Sequence, residues 1–171
     1  MSEYHMKQAP IFYPYKFGAA EKNALDRDGH FLLPGVLNLE TCRQLTRSLA
    51  QIQPLRESDD PQLRCHSGHA AEYDPYLASL IAHSQMLDLI HKVVGTNIRF
   101  DHCCTINRPP GHQGFGWHSH EYADDQPELG LMRIFFYVNG VSVDDAALKV
   151  VPGSHHYRDP AISGKTDQQL C

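Results

Sequence analysis

The spacing of apolar residues changes part-way along the chain, and this change limits the folds that the chain can adopt. In residues 39–52 and 75–94 the apolar residues recur at the spacing of one face of an α-helix. After residue 97 they alternate with polar residues, which is the pattern of a β-strand with one buried face. Helical patterns followed by strand patterns are typical of α+β proteins, or of mostly β proteins with helices packed on a sheet. We therefore predict an α+β, mostly β fold.

The helical part of the sequence carries recognisable start and stop signals. Residues 19–28 are predicted to form a short helix that ends at Gly29, because glycine adopts the left-handed conformation of a helix C-cap. Asn38 is predicted to cap the next helix, with Glu40 in its first turn. The apolar stripe of that helix consists of Cys42, Leu45, Leu49 and Ile52. The polar stretch at 53–74 is predicted to be a loop.

A further helical stretch begins at Asp74-Pro75, a cap residue followed by a proline in the first turn. We expect a break near His83-Ser84 and an end at Gly95. Alternating apolar and polar residues then predict strands. These strands are 98–107, 131–138 and 147–151, together with an earlier one at 30–33. Turns are predicted at Pro34-Gly35, Asn139-Gly140 and Pro152-Gly153.

Composition excludes several classes of function. A length of 171 residues with 42% hydrophobic and 20% charged residues fits one globular domain with a substantial core. The net charge of −5 and the lack of a basic face argue against a nucleic-acid partner. The N-terminal residues lack the basic-then-apolar pattern of a signal peptide and no apolar run is long enough to cross a bilayer, so we expect a cytoplasmic protein. An odd set of five cysteines without a CxxC pair fits a reducing compartment.

The stretch from Trp117 to Glu121 is the strongest candidate for chemistry. His118 and His120 are two residues apart, so on an extended backbone both imidazoles point to the same side. Neutral imidazole nitrogens are common ligands of transition metals. Trp117 and Phe115 lie beside them and could form a dry wall. The alternative is a polar loop with incidental histidines, since the chain has twelve of them.

Three segments together resemble the phytanoyl-CoA dioxygenase family of iron(II)/2-oxoglutarate oxygenases. Residues 28–37 are similar to the family's opening DGxxxxPGxL segment. Trp117-His118-Ser119-His120 stands at the place of its His-x-Asp iron motif. Residues 147–155 are similar to its GxLxxxPGSH segment. The ordered set covers about residues 20–160.

This resemblance implies a double-stranded β-helix, or jelly-roll, with the N-terminal helices packed on its sheet. It also implies iron(II) bound by His118 and His120, 2-oxoglutarate as co-substrate, and hydroxylation of a small organic metabolite. Asn107, Trp117 and Arg133 are candidates for the substrate or co-substrate pocket. We expect a single domain over residues 1–171, divided into four parts. They are an irregular arm at 1–17, a helical part at 18–96, jelly-roll strands with the metal motif at 97–160 and a tail at 161–171.

The sequence departs from the family pattern in two ways. His120 stands where the family has its aspartate, and Glu121 would face the other way on a strand unless a bulge redirects it. The family's third iron ligand and its 2-oxoglutarate arginine lie on strands beyond the PGSH segment. We therefore expect a chain that lacks these strands, binds iron weakly, turns over poorly and forms homo-oligomers through an exposed sheet edge.

Two other functions remain open from the sequence. A cupin-type metal protein without 2-oxoglutarate would also use a jelly roll and a His-x-His motif. Gly111, His118, His120 and Glu128 follow the first cupin motif loosely. The chain could also be a truncated, inactive member of the dioxygenase family. The histidine and proline residues at 152–156 are read first as a turn that closes a strand, and second as the edge of a site.

Overall fold

A computed structural model describes residues 9–60, 64–66, 68–107, 110–111, 115–118, 130–145 and 147–156. The regular structure in these residues is helical. It consists of α1 (Ala19–Asp28), α2 (Leu39–Arg56), α3 (Ala70–Tyr73), α4 (Pro75–Ile81) and α5 (Ser84–Val94), with 3-10 turns at Val143–Asp145 and Ser154–His156. The chain divides into two compact units. The first contains residues 1–17 and 33–109, and the second contains residues 18–32 and 110–171.

Helix α2 begins as predicted at the Asn38 cap, whose side-chain oxygen accepts a hydrogen bond from Thr41 N at 2.8 Å. Its buried face differs from the predicted stripe. Leu45 and Ile52 are buried as expected, but Thr41 and Ser48 are buried in place of Cys42 and Leu49. The helix also continues through Pro54 to Arg56, so the predicted loop at 53–74 is wrong at its start and again at α3.

Asp74 explains why a polar residue of α2 faces the core. One oxygen of its carboxylate accepts hydrogen bonds from Leu77 N at 2.8 Å and from Ser48 Oγ at 2.9 Å. The first bond caps α4, which confirms the predicted start at Asp74-Pro75. The second bond satisfies a buried hydroxyl that would otherwise lose its hydration. One buried carboxylate therefore joins the start of α4 to the middle of α2.

The described core lies in the first unit, where α4 packs against α2, α3 and α5. The break near His83-Ser84 and the end at Gly95 are confirmed by the bounds of α4 and α5. All buried apolar side chains of the described residues belong to this unit. They are Ile11, Phe12, Leu45, Ile52, Cys65, Ala70, Leu77, Leu80, Met86 and Leu89.

The N-terminal arm, residues 9–17, is attached to the same unit by backbone pairing. Phe12 and Leu37 form an antiparallel bridge. Tyr13 N donates to Val36 O at 2.8 Å, and Asn38 N donates to Ile11 O at 3.1 Å. The irregular arm predicted at 1–17 thus has a defined attachment in its described residues.

The prediction of a mostly β jelly roll is wrong for the described residues, which contain no named strand and no sheet. The segments 30–33, 98–107, 131–138 and 147–151 carry no ladder of strand hydrogen bonds. The nearest approach to pairing is a parallel bridge between His69 and Cys103. Without a sheet, the predicted packing of α2, α4 and α5 on its outer face is wrong too.

The prediction of a sheet failed because alternation is a property of one segment alone. A sheet also requires a partner segment, and the alternating pattern does not identify that partner. In the segments predicted as strands, apolar residues of both parities remain exposed, as Ile134 at 37% and Phe135 at 46% show. A half-buried strand would bury one of these neighbours and expose the other. The alternating pattern is therefore compatible with strand pairing, but the described residues do not form a paired strand.

Helix α1, in the second unit, confirms the prediction for residues 19–28. At its start, Gly18 N donates to the Glu21 carboxylate at 2.8 Å. At its end, Gly29 has φ of 80° and donates its N–H to Leu25 O at 2.9 Å. The left-handed conformation is the reason that glycine stands here.

The second unit also contains the predicted turns near Gly140 and Gly153. Gly140, at φ 73°, donates its N–H to Tyr137 O at 3.0 Å. Gly153, at φ 76°, follows Pro152 and leads into the 3-10 turn Ser154–His156.

The proposal of a single domain stays a prediction. In the described part of the chain, no helix has the length and apolar character needed to cross a membrane.

Candidate metal site

The imidazole of His118 is oriented by the backbone beside it. Its Nδ1 lies 2.9 Å from the carbonyl oxygen of Gly116. A carbonyl oxygen can only accept, so Nδ1 carries a hydrogen and donates it. Histidines that bind metals commonly donate their second N–H to a backbone carbonyl in this way, which fixes the ring orientation. The ring of His118 is therefore oriented through Nδ1 in the way that is common for metal-binding histidines.

The aromatic wall predicted beside this histidine is present in part. The rings of Phe115 and His118 meet edge to face, with centroids 6.4 Å apart and an interplanar angle of 85°. Phe115 is 73% exposed, so it shields one side of the imidazole without closing the site from water. Trp117 is half-buried. In the described residues, the dry wall predicted from the sequence is thus reduced to the contact between the exposed Phe115 ring and His118.

The other predicted site residues are distributed over the two units. Trp117, His118 and Arg133 belong to the second unit, and Arg133 is exposed. Asn107 belongs to the first unit and is also exposed. His120, the other predicted iron ligand, lies outside the described residues, as do Glu121 and Glu128. Among the residues that are described, no three His, Cys, Asp or Glu side chains form a cluster suited to a metal ion.

A contact that the sequence did not predict joins two of the motif segments. The Nε2 atoms of His155 and His156 lie 3.1 Å and 2.8 Å from one acceptor, the carbonyl oxygen of Asp26 in the last turn of α1. The planes of the two rings are tilted by 40° relative to each other, and their centroids lie 3.8 Å apart. Gly153 N adds a bond to Asp28 O at 3.1 Å. The turn at 152–156, here called the PGSH turn, therefore caps the C-terminus of α1.

One sequence signal for this contact existed. The last carbonyls of a helix have no partner within the helix, and histidines near a helix C-terminus can donate to them. Two adjacent histidines after a glycine turn supply two such donors. The sequence did not indicate which helix they would cap. The PGSH segment is confirmed as a turn, in agreement with the first of its two readings.

Charge at the end of α1 is concentrated on Asp28. The Arg27 guanidinium donates hydrogen bonds to the Asp28 carboxylate at 2.8 Å and 2.5 Å, and these bonds lower the pKa of that carboxyl. The nearby imidazoles of His30 and His155 lower it further. The carboxylate is thus charged at neutral pH and stands close to the PGSH turn.

Comparison with known proteins identifies these segments as parts of one family pattern. The sequence model of the phytanoyl-CoA dioxygenase family (PhyH) matches residues 25–169, most of the chain. The chain belongs to the phytanoyl-CoA dioxygenase family. No curated protein and no solved structure matches it.

The match to the phytanoyl-CoA dioxygenase family spans both features described above, the His118 motif and the PGSH turn. The family match includes Asp28-Gly29, the His118 motif and the PGSH turn. The structure places the first and third of these segments in direct contact at the end of α1. The contact gives the family's glycine and PGSH segments a structural role that does not require them to touch a metal.

Proposed function

We propose that this chain is an iron(II)- and 2-oxoglutarate-dependent oxygenase that hydroxylates a small organic metabolite. Membership of the phytanoyl-CoA dioxygenase family supports the reaction class. The observation that supports the proposal at the level of residues is the hydrogen bond from His118 Nδ1 to Gly116 O, which orients the imidazole as in many metal-binding histidines. His120, two residues further along, is the second proposed ligand.

The residues present fit iron in part. Neutral imidazole is a good donor for iron(II), and the Gly116 carbonyl orients the His118 ring through Nδ1. His120 replaces the aspartate of the family motif, so the proposal requires an oxygen ligand from elsewhere in the chain. Iron held there would supply the oxidising chemistry for an unactivated C–H bond, with 2-oxoglutarate as co-substrate.

The protein's own groups have three roles in this proposal. The Gly116 carbonyl orients the imidazole of His118, and Phe115 limits solvent on one side of that ring. Arg133 is proposed to bind a carboxylate of the co-substrate, because a guanidinium can pair with a carboxylate through two parallel hydrogen bonds. Trp117 remains a proposed contributor to the substrate pocket.

The test measures iron content and succinate formation on the full chain. Purified protein is loaded anaerobically with iron(II), and bound metal is measured after desalting for the wild type and for H118A/H120A. We expect the wild-type chain to retain iron and the variant to lose it. An H91A variant, which removes an exposed histidine of α5, should bind iron like the wild type.

Succinate production with iron(II), ascorbate and 2-oxoglutarate then separates the functions. Succinate that depends on His118 and His120 supports the oxygenase. Iron bound by these histidines without any use of 2-oxoglutarate would indicate a cupin-type metal protein instead. Wild-type metal content in H118A/H120A would contradict the proposed ligands.

A further inference from the structure

The N-terminal arm is held on the first unit by two side chains at the start of α5. His83 Nε2 lies 3.0 Å from the carbonyl oxygen of Ala9. The side-chain oxygen of Gln85 accepts hydrogen bonds from Ile11 N at 2.6 Å and Phe12 N at 3.0 Å. Ile11 and Phe12 are only 4% and 3% exposed. These bonds therefore fix the part of the arm that contributes to the core.

The hydrogen bonds of His83 require a neutral ring. The Ala9 carbonyl can only accept, so Nε2 of His83 carries a hydrogen. The backbone N–H of Gln85 donates to Nδ1 at 3.2 Å, so Nδ1 carries none. His83 is 6% exposed, which leaves little room for water to replace either bond. The structure thus uses one tautomer of the uncharged imidazole.

We propose that His83 is an acid-sensitive latch, which holds the N-terminal arm at neutral pH and releases it in acid. A proton on Nδ1 would face the N–H of Gln85, so a hydrogen bond would be replaced by two opposed donors. That bond is also the side-chain cap of α5. Because the side chain of Gln85 binds Ile11 and Phe12, a shift of this first turn loosens the arm at the same time.

Among the described residues, the charged side chains that line the groove beside His83, and those of α5, are already paired with an opposite charge. This groove of about 750 Å³ lies between the arm, α2 and α4. Its titratable side chains, besides His83 itself, are Tyr13, Glu40, Arg43 and Tyr76. Glu40 is paired with Arg43 at 3.6 Å, and burial raises the pKa of Tyr76, which keeps that hydroxyl neutral in acid. On α5, Asp88 is paired with Lys92 at 2.6 Å.

Release of the arm would change the surface of the first unit. Four arm residues form one side of the groove, and residues of α2 and α4, together with Asn38 and His83, form the rest. These arm residues are Ala9, Pro10, Ile11 and Tyr13. Opening the latch would therefore widen the groove and expose Ile11 and Phe12 to water. The inference concerns the first unit and does not depend on the proposed metal site.

Hydrogen exchange on the full chain tests the latch. Deuterium uptake of peptides covering residues 9–17 and 45–52 is followed at about pH 7.5 and about pH 5.0, which bracket the range in which histidines change charge. Uptake is corrected for the intrinsic effect of pH on exchange. We expect protection of the arm to fall by about tenfold or more in acid, since at least one hydrogen bond is lost. Protection of residues 45–52 in α2 should be retained.

Two variants connect the result to His83. In H83N the shorter side chain can still cap α5 but does not reach Ala9, so the arm should be weakly protected at both pH values. In H91N, a matched change at an exposed position of the same helix, the acid response should persist. Equal protection of the wild-type arm at both pH values would overturn the proposal, even if H83N failed to fold. An acid response retained in H83N, or lost in H91N, would overturn it as well.

Discussion

Gly29 and His155 pack so closely that a Cβ atom on Gly29 would lie 2.5 Å from Nδ1 of His155. Gly29 also has φ of 80°, a conformation that residues with a side chain adopt only with strain. Two independent requirements therefore select glycine at this position. One comes from the end of α1, and the other comes from the PGSH turn.

Replacement of Gly29 by alanine should destabilise the second unit. The left-handed conformation alone costs a residue with a Cβ about 1–3 kcal/mol. The clash with the His155 ring adds to this cost, because the ring must move away from Asp26 to make room. The free energy of unfolding of G29A, measured by urea denaturation, should be lower than that of the wild type by more than the conformational term.

Gly140 provides the matched control for this prediction. It has φ of 73° and lies in the same unit, but a Cβ there would meet nothing within 4 Å. G140A should therefore show the conformational cost without the clash. Equal destabilisation in G29A and G140A would mean that the contact with His155 contributes nothing.

The two imidazoles of the PGSH turn should behave as a coupled pair. Because both donate to the Asp26 carbonyl, either ring can keep that acceptor bonded when the other is removed. We expect H155A and H156A to cost about 0.5 kcal/mol each and H155A/H156A to cost more than their sum. Urea denaturation of all three variants gives the coupling energy. Strictly additive changes would show that the rings do not substitute for each other.

Titration of Asp28 tests the electrostatics at the end of α1. Hydrogen bonds from Arg27 lower the pKa of this carboxyl from its ordinary value of 3.8. A lowered pKa in the folded state stabilises the fold above the unfolded value, and this contribution is lost as the pH falls through the folded value. Carboxyl NMR shifts should show a midpoint below 3.8 in the wild type and a higher one in R27M. An unchanged midpoint in R27M would contradict the role of the guanidinium.

Replacement of Asp74 should lower the free energy of unfolding of the first unit. Alanine there removes the cap of α4 and leaves the buried Ser48 hydroxyl without its acceptor, which together cost about 2–4 kcal/mol. Thermal or urea unfolding of D74A measures this loss. D74N keeps an oxygen at the bonding position and should lose much less. If D74N and D74A were equally destabilised, the charge rather than the two hydrogen bonds would be responsible.

The sequence predicted the helices of the first unit well because their signals are local. Asn38, Asp74-Pro75 and Gly95 each act on backbone groups within a few residues of themselves. The buried face of α2 was predicted less well, since Ser48 is selected by Asp74, which is 26 residues away. The sheet was predicted wrongly because alternation gives no information about which segment supplies a ladder partner.

The same difference between local and distant contacts applies to the candidate site. The orientation of the His118 ring depends on Gly116, two residues away, whereas its role as a metal ligand stays a prediction. The cap of α1 by the PGSH turn involves residues more than a hundred positions apart. Both segments were recognised as motifs, but nothing in their patterns indicated that they touch. A structure was needed to show that contact.

The separation of 129 residues between Asp26 and His155 has a consequence for synthesis of the chain. During translation α1 emerges long before the turn that caps it, so its last carbonyls must bond to water until residues 153–156 leave the ribosome. Closing a loop of this length also carries an entropic cost that local contacts avoid. The end of α1 is therefore expected to be among the last parts of the second unit to acquire its native structure.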